Sequence, residues 1–243
     1  MIFIPLGQSC DAAIHLSRSG LRKHSLPFDW VASFDYSSVI YLATHILETK
    51  GKGFFRHMRY YRSDNNEIDD KLNKILKAAD PNISSRWTVS PDWSGVVLVH
   101  HDPIAHRAAK DACKRRIYRF INLVESKEKL FFIQSLKFNQ FKGMDKQSIK
   151  EDINRYRNAL DKFQTFIKSD KYKIIIVVLG EFESKYVDNQ IALLKSDHID
   201  VHFFKNIPLE AGDSMAFCDE WDAVFREYMP ELVDESKVEI LDT

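Results

Sequence analysis

The chain has 243 residues, 44% of them hydrophobic and 12% aromatic, with 35 Lys or Arg balanced by 35 Asp or Glu. That length and apolar content fit one large domain with a real core, and only 8 Gly and 7 Pro exclude a collagenous or low-complexity chain. Zero formal net charge gives no global pull toward nucleic acid or an anionic membrane, and no apolar run reaches the roughly 20 residues that span a bilayer.

In chain order, Ile2-Phe-Ile-Pro-Leu6 reads as a first strand. Gly7-Gln8-Ser9-Cys10 then turns the chain into a helix over residues 11–18, with Ser9 a candidate N-cap and Gly20 a natural C′ stop. Residues 31–93 break the rhythm: apolar helical stretches near 39–46 and 72–79 flank an aromatic middle, Phe54 to Tyr61. This segment predicts a helical insertion, its aromatics serving core packing rather than an acceptor groove. Apolar runs at Val96–Val99, Leu130–Ile133, Ile174–Leu179 and Val201–Phe204 follow, with helical patterns at 104–126, 147–168, 184–196 and 219–228 between and after them. Val238–Leu241 could add an edge strand.

Strands alternating with helices imply right-handed βαβ units. The predicted fold is three-layer α/β: a mostly parallel five-stranded sheet, helices on both faces, and a helical insertion after the first helix. Residues 1–243 read as a single domain with the insertion at about 31–93.

Three widely spaced cysteines, Cys10, Cys113 and Cys218, suit a reducing compartment better than a disulfide framework. With no signal-like N-terminus and no membrane span, a cytoplasmic location is expected. No CxxC occurs, and His198 and His202, although spaced HxxxH, flank an apolar run, so neither a metal nor another cofactor is expected.

Cys10 would stand where strand one feeds a helix, at the carboxyl edge where parallel sheets bind ligands. Three roles stay open. It could be a small buried residue; Gly7 and Ser9 could help form an anion-binding turn; or the helix dipole could lower the thiol pKa and make a nucleophile. His101, in His100-His101-Asp102-Pro103 after the second strand, would reach the same edge and could act as a base beside a carboxylate. Alternatively, Asp102-Pro103 simply opens the next helix. In Pro27-Phe-Asp-Trp30, Asp29 could orient that histidine or a ligand hydroxyl, with Trp30 alongside, or the four residues could cap and pack a helix. Arg115 and Arg119 share a helix face at i,i+4 and could hold an anion, while Arg116 faces elsewhere. A solvated face is the plainer reading. Glu181 reads as a helix cap rather than a site acid, and His198 and His202 as edge or surface residues.

Leu6-Gly-Gln-Ser-Cys10, Ala13, Leu16, Gly20-Leu-Arg22, Ser25 and Pro27-Phe-Asp-Trp30, followed by His101-Asp102, Arg115-Arg116-Ile117 and Arg119-Phe120, resemble a mainly bacterial family labelled papain-like cysteine peptidase. The resemblance covers roughly the first half of the chain. It implies a thiol nucleophile at Cys10, a base at His101, an orienting acid at Asp29 or Asp102, and an oxyanion donor at Gln8. Papain-like domains, however, place the cysteine helix after a loop and the histidine on an antiparallel barrel. The strand leading into Cys10 fits a flavodoxin-like or SGNH-like hydrolase sheet better.

These features together predict a cysteine-nucleophile hydrolase, a papain-like peptidase or a related acyl hydrolase. The alternative is a transferase acting on bacterial surface glycans or on an activated phosphate or acyl donor at the same edge. A non-enzymatic binding module is the third reading. The expected substrate is a small molecule, peptide or glycan, anionic if Arg115 and Arg119 face the edge; no nucleic acid is expected.

Overall fold

The computed structural model describes residues 1–7, 10–29, 31–33, 36–56, 58–61, 86–88, 96–98, 103, 106–137, 141, 143–180, 184–204 and 218–229. Its strands are β1 (Ile2–Pro5), β2 (Val31–Ser33), β3 (Arg59–Tyr61), β4 (Arg86–Thr88), β5 (Val96–Leu98), β6 (Leu130–Lys137), β7 (Tyr172–Leu179) and β8 (Ile199–Phe204). Its helices are α1 (Asp11–Arg18), α2 (Tyr36–Thr49), α3 (Arg107–Val124), α4 (Lys146–Gln164), α5 (Lys185–Ala192) and α6 (Cys218–Tyr228). The expected strand at 238–241, the helical stretch at 72–79 and Glu181 lie outside the described residues.

The chain is an α/β protein with a parallel sheet of four strands, in the order β1-β6-β7-β8. The expected fifth strand is not part of it. Val96–Leu98 pairs antiparallel with β2 and β4 in a second sheet, ordered β2-β5-β4-β3. The physical reason is that a short apolar run signals burial but does not say which neighbour supplies its hydrogen bonds. The segment expected to be a helical insertion therefore contains α2 together with three short strands.

β1 pairs with β6 from Ile2 opposite Leu130 to Pro5 opposite Ile133. The crossovers β6-α4-β7 and β7-α5-β8 run in the same sense, which brings α4 and α5 to one face. Side chains alternate across each strand, and the apolar residues divide accordingly. Phe3, Phe131, Ile133, Ile175 and Val177 cluster with Ala12 and Leu16 of α1 and with Trp221, Val224 and Phe225 of α6. Ile4, Leu130, Phe132, Ile174 and Ile176 cluster with residues of α2, α3, α4 and α5, among them Val39, Phe120, Tyr156 and Ile191. Each fully buried Phe or Ile among them contributes on the order of 1.5–3 kcal/mol.

β6 continues past its apolar start because its polar residues find places on either face. Gln134 is fully buried; its Nε2 donates to the Tyr36 carbonyl at 2.6 Å and its Oε1 accepts from the Tyr156 hydroxyl at 2.6 Å. This bridge ties α2 and α4 to the sheet with both ends of the amide satisfied. The extension also carries Ser135 and Lys137 to the carboxyl edge of the sheet.

Candidate active site at the end of the first strand

β1 ends at Pro5, and one more parallel bond follows, from the Leu6 N–H to the Ile133 carbonyl at 2.6 Å. Gly7 is buried directly after it. Cys10 is the N-cap of α1, at φ −72° and ψ −4°, and its carbonyl accepts from the Ile14 N–H at 2.9 Å. The expected N-cap, Ser9, lies outside the described residues, as do Gln8, Trp30, His101 and Asp102. α1 closes as its sequence predicts. Gly20 sits at φ 67°, with Leu21 N–H donating to Leu16 O at 2.8 Å and Gly20 N–H to Ser17 O at 3.2 Å, a Schellman ending.

The pKa of the Cys10 thiol is raised rather than lowered. Partial burial pushes its pKa above the ordinary value, the Asp11 carboxylate adds to the rise, and Lys137 opposes it. Desolvation of the thiolate is the largest of these effects. Cys10 remains partly exposed, whereas Cys113 is buried in the core and pushed up to about 11 by desolvation.

Two residues that no motif singled out stand at this edge. The Lys137 ammonium lies 3.1 Å from Oδ2 of Asp11, the residue after Cys10. Ser135, on the same face of β6 two residues earlier, is fully buried, and among the described residues its Oγ has no hydrogen-bond partner. The available signal was positional: a lysine at the end of a buried parallel strand must emerge where ligands bind.

Asp29 is fully buried, but its partners are not Cys10. Its Oδ2 accepts from the Leu26 N–H at 2.9 Å and pairs with the Arg22 guanidinium, closing the Leu26–Asp29 turn. Burial pushes its carboxyl above the ordinary value, against the pull of Leu26, Arg22 and Arg116. Among the described residues its Oδ1 has no partner. Phe28 packs edge-on against Phe120, with ring centroids 5.0 Å apart. Arg115 and Arg119 do share a face; with Tyr118, Asn122 and Leu123 they line a shallow groove of about 430 Å³ on α3. Arg119 Nη1 also donates to the Ser25 carbonyl at 2.7 Å. Among the described residues, none of the Cys10 turn lines that groove.

His101 was expected at the Cys10 edge because Val96–Val99 was read as a strand of the parallel sheet. With Val96–Leu98 in the antiparallel sheet, that inference no longer holds. The helix that follows begins at Arg107, not at Pro103. His198 stacks on Tyr172 at 4.3 Å, and His202 bonds the Tyr228 hydroxyl at 2.9 Å, both away from the Cys10 turn. Among the described residues no three His, Cys, Asp or Glu side chains gather as a metal site requires, and no helix is long and apolar enough to cross a membrane.

A partly exposed cysteine at a parallel-sheet edge, in the N-cap position of the first helix, defines the class: an α/β protein with a candidate cysteine site. The family described as "Putative papain-like cysteine peptidase" matches residues 1–167, and the chain belongs to it. The match runs from β1 through α4 and so includes Cys10, Asp29, His101, Arg115, Arg119, Ser135 and Lys137. An uncharacterised protein of Acanthamoeba polyphaga mimivirus is 29% identical over 166 residues, covering 63% of this chain and 69% of its own. No solved structure matches the chain.

Proposed function

We propose that the protein is a cysteine hydrolase in which Cys10 attacks an acyl carbon. The observation that carries this reading is the position of Cys10, a half-buried helix N-cap just beyond the carboxyl edge of β1, in a chain that belongs to a cysteine peptidase family. His101 is the proposed base, and Asp29 or Asp102 the residue that orients it. Backbone N–H groups at the start of α1, with Gln8 beside them, are the proposed donors to the oxyanion.

The raised thiol pKa selects a variant of the chemistry. At neutral pH the sulfur keeps its proton, so a base must take that proton as the S–C bond forms rather than rest beside a preformed thiolate. The same proton then passes to the leaving group, an acyl thioester remains on Cys10, and water releases the acid and restores the thiol. A transferase would hand the same thioester to another acceptor, and product analysis separates the two outcomes. Gly7, Ser9, Trp30, Asp102, Arg115 and Arg119 are the proposed substrate contacts.

The test is turnover of nitrophenyl acyl esters and fluorogenic peptides by the wild type, Cys10→Ser and His101→Ala. Loss of roughly a hundredfold or more in both variants, with melting temperature kept, supports the assignment. Turnover that survives Cys10→Ser removes it.

A further inference from the structure

The Cys10 turn has a companion charge. β6 runs beyond its apolar start through Gln134-Ser135-Leu136-Lys137 and emerges beside the first turn of α1. There the Lys137 ammonium stands 3.1 Å from the Asp11 carboxylate, with Asp11 the buried member of the pair and Lys137 facing solvent. Behind it, the Ser135 hydroxyl is fully buried on the face that also carries Phe131 and Ile133, and it has no partner among the described residues. An unpaired hydroxyl on an apolar face costs free energy that alanine would avoid. A helix start and a held cation therefore meet at one turn.

We propose that Lys137, fixed in place by Asp11, is an electrostatic positioning residue for Cys10. Its ammonium stabilises the negative charge left on sulfur when the thiol proton goes to the base. Lys137 keeps its own protons throughout. Asp11 anchors the ammonium and moderates its effect, so the two residues act on the sulfur with opposite sign. Asp11 raises the Cys10 thiol pKa and Lys137 lowers it. The proposal rests on reading Cys10 as the reacting group, not on the identity of its substrate.

The test is the rate of Cys10 alkylation by iodoacetamide as a function of pH in the full chain. Peptide mass mapping reads Cys10, with Cys218 as the internal reference. Lys137→Met should move the Cys10 profile to higher pH and slow alkylation near neutrality by roughly three- to tenfold, the scale of one partly screened neighbouring charge. Lys137→Arg should stay close to wild type, and Asp11→Asn should move the profile the opposite way. A Lys137→Met profile that overlays the wild type overturns the proposal, as does Asp11→Asn moving in the same direction as Lys137→Met. If Lys137→Met does not fold, Asp11→Asn decides alone: faster alkylation supports the proposal, and equal or slower alkylation overturns it. The readout uses no substrate. Shifted profiles without ester turnover therefore remove the hydrolase reading and keep this one, and intact turnover with unshifted profiles does the reverse.

Discussion

Replacing Asp29 with leucine separates structure from chemistry at the Pro-Phe-Asp-Trp segment. Asp29 is fully buried, and its partner Arg22 has a side chain 17% exposed. Removing one member of a buried pair costs about 3–5 kcal/mol, because the other charge is left without its partner. Arg22 can turn toward water, so the lower end, about 3 kcal/mol, applies. For a chain of this size that lowers Tm by about 6–12 °C. The raised Asp29 pKa says that holding the charge in the interior is itself costly. Stability from this group is therefore fullest below the ordinary carboxylate pKa and is lost as pH rises through the raised folded value. It follows that the double variant Asp29→Leu/Arg22→Met should recover about 2 kcal/mol relative to the sum of the singles. The assay is urea denaturation of the wild type, both single variants and the double. Strict additivity would refute the reasoning, since it would mean that the two side chains act independently.

Other outcomes follow from single positions. Ser135→Ala should leave Tm unchanged or raise it, because the lost hydroxyl had no partner among the described residues; a fall of more than about 1 kcal/mol in denaturation would point to a hidden partner. Gly51→Ala should cost about 1–3 kcal/mol, since Gly51 sits at φ +71° and a Cβ there would meet Ile117 Cγ2 at 2.7 Å. His202 is half-buried against Tyr228, with a pKa lowered mainly by desolvation against the pull of Glu227 and Asp200. The unfolded chain therefore binds its proton first, and stability should fall as pH drops below the ordinary 6.5 toward the folded value. Melting curves against pH should flatten in that window for His202→Gln.

Much of the parallel sheet was legible. Leu130–Ile133, Ile174–Leu179 and Val201–Phe204 fall within its strands, and Ile2–Leu6 overruns β1 by one residue, because runs apolar on both faces have few other places to go. The second sheet was not legible. Val31–Ser33, Arg59–Tyr61 and Arg86–Thr88 are three residues each, too short and too polar to show a period, and without them Val96–Leu98 looked like a parallel strand. β6 was cut short for a related reason. Gln134 and Ser135 end the apolar run, yet one is satisfied by Tyr36 and Tyr156 and the other is simply enclosed. Losing those residues hid Lys137. The state of the thiol was not legible, because the dipole can be read from a helix start, whereas desolvation depends on what packs over the sulfur. Asp29 carries the same lesson: its Arg22 partner is only seven residues away, but a return loop after Gly20 is needed to bring them together.

The most direct measurement is mass spectrometry of the chain trapped during turnover of an acyl ester. The account predicts an acyl adduct on the Cys10 peptide, released by hydroxylamine, and missing in Cys10→Ala. An adduct spread equally over Cys10, Cys113 and Cys218, or a Cys10 peptide that stays unmodified while ester is consumed, would contradict it.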